Sequence, residues 1–103
     1  MNLDNQARVA YKQSPASVIY FIVLSSYLYY IRDESVLSDE VFDKLCKLVL
    51  DKKIKHKLLS SLITDDRMSA GSLFDVKSNQ YPMFIVRDAE TLIRNNIWYG
   101  DKL

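Results

Sequence analysis

Glycine and proline are scarce in this chain, with two of each among 103 residues. Strand-and-turn architectures and phosphate-cradling loops both draw on more of them, so neither is expected. A single cysteine excludes an internal disulfide and fits a reducing, cytoplasmic compartment. The single histidine, His56, has no cysteine or second histidine at ligand spacing, which argues against a zinc site. Charge of one sign is also missing. A net charge of +1 creates no general attraction to nucleic acid or to an anionic membrane. The opening MNLDNQARVAYKQ is polar and mixed in charge, unlike a secretory signal.

What the chain does contain is apolar surface to bury. Hydrophobic content of 49% beside 26% charged residues is the composition of a folded domain rather than a disordered tail. The length suits one domain, residues 1–103. A chain of this size buries roughly 60–65% of its unfolded surface, enough for one core and little for a deep cleft.

From Ser14 to Ile31 eighteen residues pass without a charge, which reaches the lower limit for a membrane span. Four serines (14, 17, 25, 26) and four tyrosines (20, 27, 29, 30) interrupt that run. The other segments are amphipathic and need a partner to cover their stripes. A helix apolar all round is what the centre of a small bundle requires, so the buried reading is favoured over the span.

Around this helix the pattern predicts three or four others. Residues 1–13 form a polar lead-in that can hold a short helix from Asp4 to Lys12. The central helix is predicted to start sharply, with Ser14 as cap and Pro15 in its first turn, and to run to about Arg32. Asp33-Glu34-Ser35 then breaks it. Ser38 is the N-cap candidate of the next helix, with Asp39 and Glu40 at the positive end of its dipole. Val41 stands where a capping box would want Glu or Gln. Val41, Phe42, Leu45, Cys46, Leu48 and Val49 form its apolar face, and Asp39 and Asp43 lie at the border.

After Asp51-Lys52-Lys53 the apolar phase shifts to Ile54, Leu58, Leu59, Leu62 and Ile63. That predicts a further helix or a kinked continuation. Thr64 to Tyr81 is the least regular stretch. MFIV at 83–86 reads as strand or helix, but Ile85, Val86, Ala89, Leu92, Ile93 and Ile97 share one helical face behind Pro82. Helix from about 82 to 98 is favoured, with Trp98 and Tyr99 closing it, packed against the central helix in preference to forming an exposed contact patch. The fold class expected is all-α, four to five helices around a central hydrophobic one.

The stretch from Tyr27 to Leu45, YLYYIRDESVLSDEVFDKL, is the most specific in the chain. It resembles the small N-terminal Ia domain of NAD-dependent DNA ligases, a helical hairpin that grips the nicotinamide mononucleotide half of NAD. That domain's motif runs roughly Tyr-x-Tyr-His-x-x-Asp-x-Pro-x-x-Ser-Asp-x-Glu-Tyr-Asp-x-Leu. Tyr27, Tyr29, Asp33, Ser38, Asp39, Asp43 and Leu45 match it at unbroken spacing. The resemblance implies a site at Tyr29, Tyr30, Asp39, Phe42 and Asp43 for a flat pyridinium ring. Aromatic faces attract such a cation by about 0.5–2 kcal/mol, and the carboxylates add Coulomb attraction.

The chain departs from that motif at three telling places. Tyr30 replaces the family's histidine, Phe42 its second tyrosine and Ser35 its proline. Stacking survives those changes better than polar contacts do. The Lys-x-Asp-Gly tetrapeptide that carries adenylate in ligases does not occur in these residues. The same positions also have ordinary roles. Asp39 is a common first-turn acid, Asp43 can pair with Lys47, and Phe42 belongs to a core stripe.

The expectation is therefore a non-enzymatic accessory protein that binds a macromolecule, a protein partner from DNA metabolism or host defence. In this it looks like the short derivatives of enzyme domains found in bacteriophages. The alternative is a module that binds nicotinamide mononucleotide, NAD or a related nucleotide, with no resident cofactor or metal otherwise expected. A second alternative is weak nucleic-acid binding through Lys52, Lys53, Lys55 and Lys57, which read first as a solvated face. Cys46, on an apolar face, reads as inert core.

Overall fold

The computed structural model describes residues 2–97. Five α-helices occur in the order α1 (Asp4–Gln13), α2 (Ser17–Arg32), α3 (Asp39–Lys52), α4 (Asp65–Ala70) and α5 (Met83–Leu92). A wider π-helical turn, Ile93–Ile97, continues α5, and short 3₁₀ turns lie at Ser60–Leu62 and Ser78–Gln80. No strand occurs among the described residues. The all-α expectation holds.

The uncharged run becomes the middle of the bundle. Val18, Ile19, Ile22, Val23, Leu24 and Leu28 of α2 are all buried, and α1, α3 and α5 pack against that helix. Only at its C-terminal end does α2 emerge, at Tyr29, Tyr30 and Arg32. Among the described residues no helix is long and apolar enough to cross a membrane.

Capping sets where these helices stop and start. Asp33 ends α2 in the left-handed region at φ 56°, and the N–H of Glu34 reaches back to the Leu28 carbonyl at 2.8 Å. That closure satisfies a carbonyl left over at the helix end. Four residues later the Ser38 hydroxyl accepts from the Val41 N–H at 3.2 Å and starts α3. Val41 cannot return the bond, so the capping box stays half complete. Its side chain is buried in the core instead.

Three sequence expectations need correction. Ser14 does not cap α2 with its side chain. Its carbonyl accepts from the N–H of Ser17 at 3.0 Å and from the Ser17 hydroxyl at 2.6 Å. A tight turn over Pro15 and Ala16 thus precedes the helix, because Ser14 itself ends α1 with extended backbone. The helix expected over 54–63 does not form beyond one 3₁₀ turn. There the Ser60 hydroxyl takes the backbone N–H and C=O of His56, and His56 Nδ1 accepts from the Leu58 N–H at 3.1 Å. Side-chain bonds of this kind compete with the helical ladder. Lastly, the polar lead-in is part of the core. Leu3 and Ala7 are buried, and the Leu3 N–H bonds the Val36 carbonyl at 2.7 Å.

Residues 64–81 carry more order than their composition suggests. The Thr64 hydroxyl caps α4, and Gly71 ends it at φ +64°. Arg67 clamps the segment after this helix: its guanidinium holds both carboxylate oxygens of Asp75 and donates to the Leu62 carbonyl at 3.0 Å. The same contact keeps the Asp75 carboxyl below its ordinary range. Leu73 and Val76 bury themselves under that clamp. MFIV is helical, with Pro82 immediately before α5. The expected end of that helix at 98, and the placing of Trp98 and Tyr99, lie outside the described residues.

Candidate functional site

The last turn of α2, the elbow at 33–38 and the first turn of α3 enclose a hollow of about 150 Å³. Four of the five residues singled out by the motif line it: Tyr29, Tyr30, Asp39 and Phe42. Tyr29 and Tyr30 are adjacent in a helix, and their rings meet edge to face with centroids 4.9 Å apart. Both are solvent-exposed, Tyr29 at 55% and Tyr30 at 40%. The aromatic surface on this rim is therefore open to a partner molecule.

Asp43, the fifth, sits one turn beyond Asp39 and just outside the lining. Lys47 holds its carboxylate at 2.7 Å. Among the described residues Asp39 has no such cation, and the lining contains no Lys, Arg or His. The hollow thus presents one carboxylate, three aromatic rings and three serines, an environment that favours positive or neutral groups over anions.

Sequence reasoning missed the remaining walls. Ser25 and Ser26 of α2, Ser35, Val36 and Leu37 of the elbow, and Gly71 at the end of α4 complete the lining. The elbow is held from outside by α1. The Asp4 carboxylate accepts from the Ser38 N–H at 2.9 Å. Burial opposes ionisation of Asp4, but bonds from the backbone and hydroxyl of Ser38 overcome it and keep the carboxyl below its ordinary value. Across the mouth the Tyr30 hydroxyl pairs with the Ser72 hydroxyl at 2.8 Å, which ties α2 to the turn after α4.

Gly71 shows how closely that far wall approaches. A Cβ there would lie 3.3 Å from Asp43 Oδ1, on a backbone that disfavours any side chain. Gly71→Ala should therefore cost about 1–2 kcal/mol of stability. It should also displace the Asp43 carboxylate by a few tenths of an ångström. A lower urea midpoint together with a shifted Asp43 resonance is the expected result, and an unchanged midpoint would count against this packing.

The other candidate residues lie elsewhere. Lys52, Lys53, Lys55 and Lys57 are exposed around the C-terminal end of α3, roughly 20 Å of helix away from the hollow. None makes an ion pair among the described residues. A second cavity of about 220 Å³ beside Lys53 and Lys55 is also lined by Asp65, which weakens any positive field there. His56 is engaged in its local turn. Cys46 is fully buried, and desolvation pushes its thiol up to about 12, so it carries no thiolate near neutrality. No group of three metal-ligating side chains occurs among the described residues.

Comparison of the chain with protein-family models, with curated proteins and with solved structures gives no match.

Proposed function

We propose that this protein is a non-catalytic binding module whose working surface is the hollow at the α2–α3 elbow. There it takes a flat, cationic ring of the nicotinamide type. The observation that carries this reading is the convergence of Tyr29, Tyr30, Asp39 and Phe42 on one hollow with a carboxylate and no cation in its lining. Its size supports a ring rather than a whole nucleotide. A cavity of about 150 Å³ is the size that admits benzene, whereas sites that engulf a drug-sized ligand run to about 300–1,000 Å³. Ribose and phosphate would then rest outside, against the exposed tyrosines.

Ring stacking and the Asp39 charge both depend on the positive charge of the ring. Calorimetry with oxidised and reduced nicotinamide mononucleotide is the direct test. The oxidised, cationic form should bind at least about fivefold more tightly, a difference of about 1 kcal/mol. Asp39→Asn should remove most of that preference. Equal affinity for the two forms, or no heat with either at millimolar ligand, would defeat the reading.

A second reading, a macromolecular partner, draws on one further observation. Phe74 and Met83 are the most exposed of the large apolar side chains among the described residues, at 72% and 77%. Phe74 stands next to the hollow, since its N–H and the Tyr30 hydroxyl share the Ser72 hydroxyl. Phe74→Ala should abolish co-purification of a stoichiometric partner without lowering thermal stability. Retention of the partner by that variant would remove the support.

A further inference from the structure

We propose that the cavity at the C-terminal end of α3 binds a small free α-amino acid with an aliphatic side chain. It lies at the opposite end of α3 from the elbow, and its occupant is independent of the ring-binding reading.

The cavity holds about 220 Å³. Its apolar lining is wholly aliphatic: Val49 and Ile54 are buried, and Leu50 and Ile63 are half-buried. Three exposed charges complete it, Lys53, Lys55 and Asp65. Each stems from anchored backbone. The Lys53 N–H bonds the Val49 carbonyl where α3 ends, and Ile54 is fixed in the core between the two lysines. Asp65 opens α4, which packs against α3. The remaining polar member, Ser60, is committed through its hydroxyl to the backbone of His56.

Among the described residues none of these three charges makes an ion pair. A simple anion or a simple cation entering the cavity meets a like charge as well as an opposite one. A ligand that carries both charges satisfies all three side chains. Its carboxylate faces the lysines, its ammonium faces Asp65, and an apolar side chain rests on the aliphatic walls. That combination is the α-amino acid zwitterion. Size sets the side chain. The volume exceeds the roughly 150 Å³ that admits benzene and falls short of the roughly 300–1,000 Å³ of drug-sized sites. Leucine is of that scale.

Three probes separate the parts. L-leucine carries both charges, 4-methylpentanoate lacks the ammonium, and 3-methylbutylamine lacks the carboxylate. Each would be titrated into the ¹⁵N-labelled protein, with affinities read from the amide shifts of residues 49–65. Leucine should bind about fivefold more tightly than either analogue, the scale of one exposed ion pair. Glycine, which lacks the side chain, should bind at least about tenfold more weakly than leucine. Lys53 ends α3 in the left-handed region at φ 52°, where glycine is the favoured residue. Lys53→Gly should therefore melt at or above the wild-type temperature. It should weaken leucine and 4-methylpentanoate by about threefold without weakening 3-methylbutylamine. Asp65→Asn should do the converse, weakening leucine and the amine but not the acid. Leucine bound no better than either analogue, an affinity indifferent to both substitutions, or no shifts at millimolar leucine would each overturn the assignment. None of these outcomes touches the elbow reading.

Discussion

At pH 11 the protein should be less stable than at pH 8 by on the order of 5 kcal/mol. Three groups produce the effect. Burial pushes the Cys46 thiol and the Tyr81 phenol each up to about 12. Burial, followed by its 2.6 Å bond to the Asp88 carboxylate, raises Tyr20 well above the usual phenol range. Each folded value lies above the unfolded one, so the native state keeps a proton that the unfolded chain releases. The stabilisation is complete below the unfolded values, about 8.5 for a thiol and 10 for a phenol, and is lost as pH climbs through the folded ones.

Each buried group then removes about 1.4 kcal/mol per pH unit across its window. Tyr20, only half-buried, contributes less because solvent screens it. Domains of this size are stable by only about 5–15 kcal/mol, so much of the reserve disappears. Urea midpoints at pH 8, 9.5 and 11 measure the decline, and Cys46→Ala with Tyr20→Phe should flatten it. A midpoint constant from pH 8 to 11 would mean that these groups meet water in the folded state.

Ile22→Ala should lower the melting temperature by at least about 10 °C, from a loss of about 2–5 kcal/mol. Ile22 is fully buried in α2, the helix against which α1, α3 and α5 all pack. Truncation there leaves a void lined by several elements at once, which the surroundings cannot close by a single shift. Met83→Ala, at a residue 77% exposed, should change stability by less than about 0.5 kcal/mol. Thermal melts followed by circular dichroism separate the two. A small loss for Ile22→Ala would show that α2 is not the axis of the core.

These contrasts trace back to what is legible along the chain. The central helix can be read because eighteen uncharged residues leave no polar face. The start of α3 can be read because Ser38, Asp39 and Glu40 supply cap and dipole within one turn. The short α4 has equally local signals, Thr64 before two aspartates and Gly71 after, but they lie in a stretch with no apolar period to draw attention. At 54–63 the period is present and misleads, because His56 and Ser60 divert the backbone into turns. Ser26 stands in plain view among serines that, along the chain, count only against a membrane span.

The central helix, the start of α3 and the acidic elbow between them were determined by sequence alone, since capping and helical spacing act over a few residues. Tertiary structure decided that these residues share one hollow, that Gly71 forms its far wall and that Asp4 braces its elbow. It also decided that, among the described residues, the Ser26 hydroxyl finds no partner while Ser25 bonds. The physical reason is distance along the chain. Gly71 and Asp4 come from segments far removed from the elbow, and only the packing of α1, α3 and α4 around the core brings them to it.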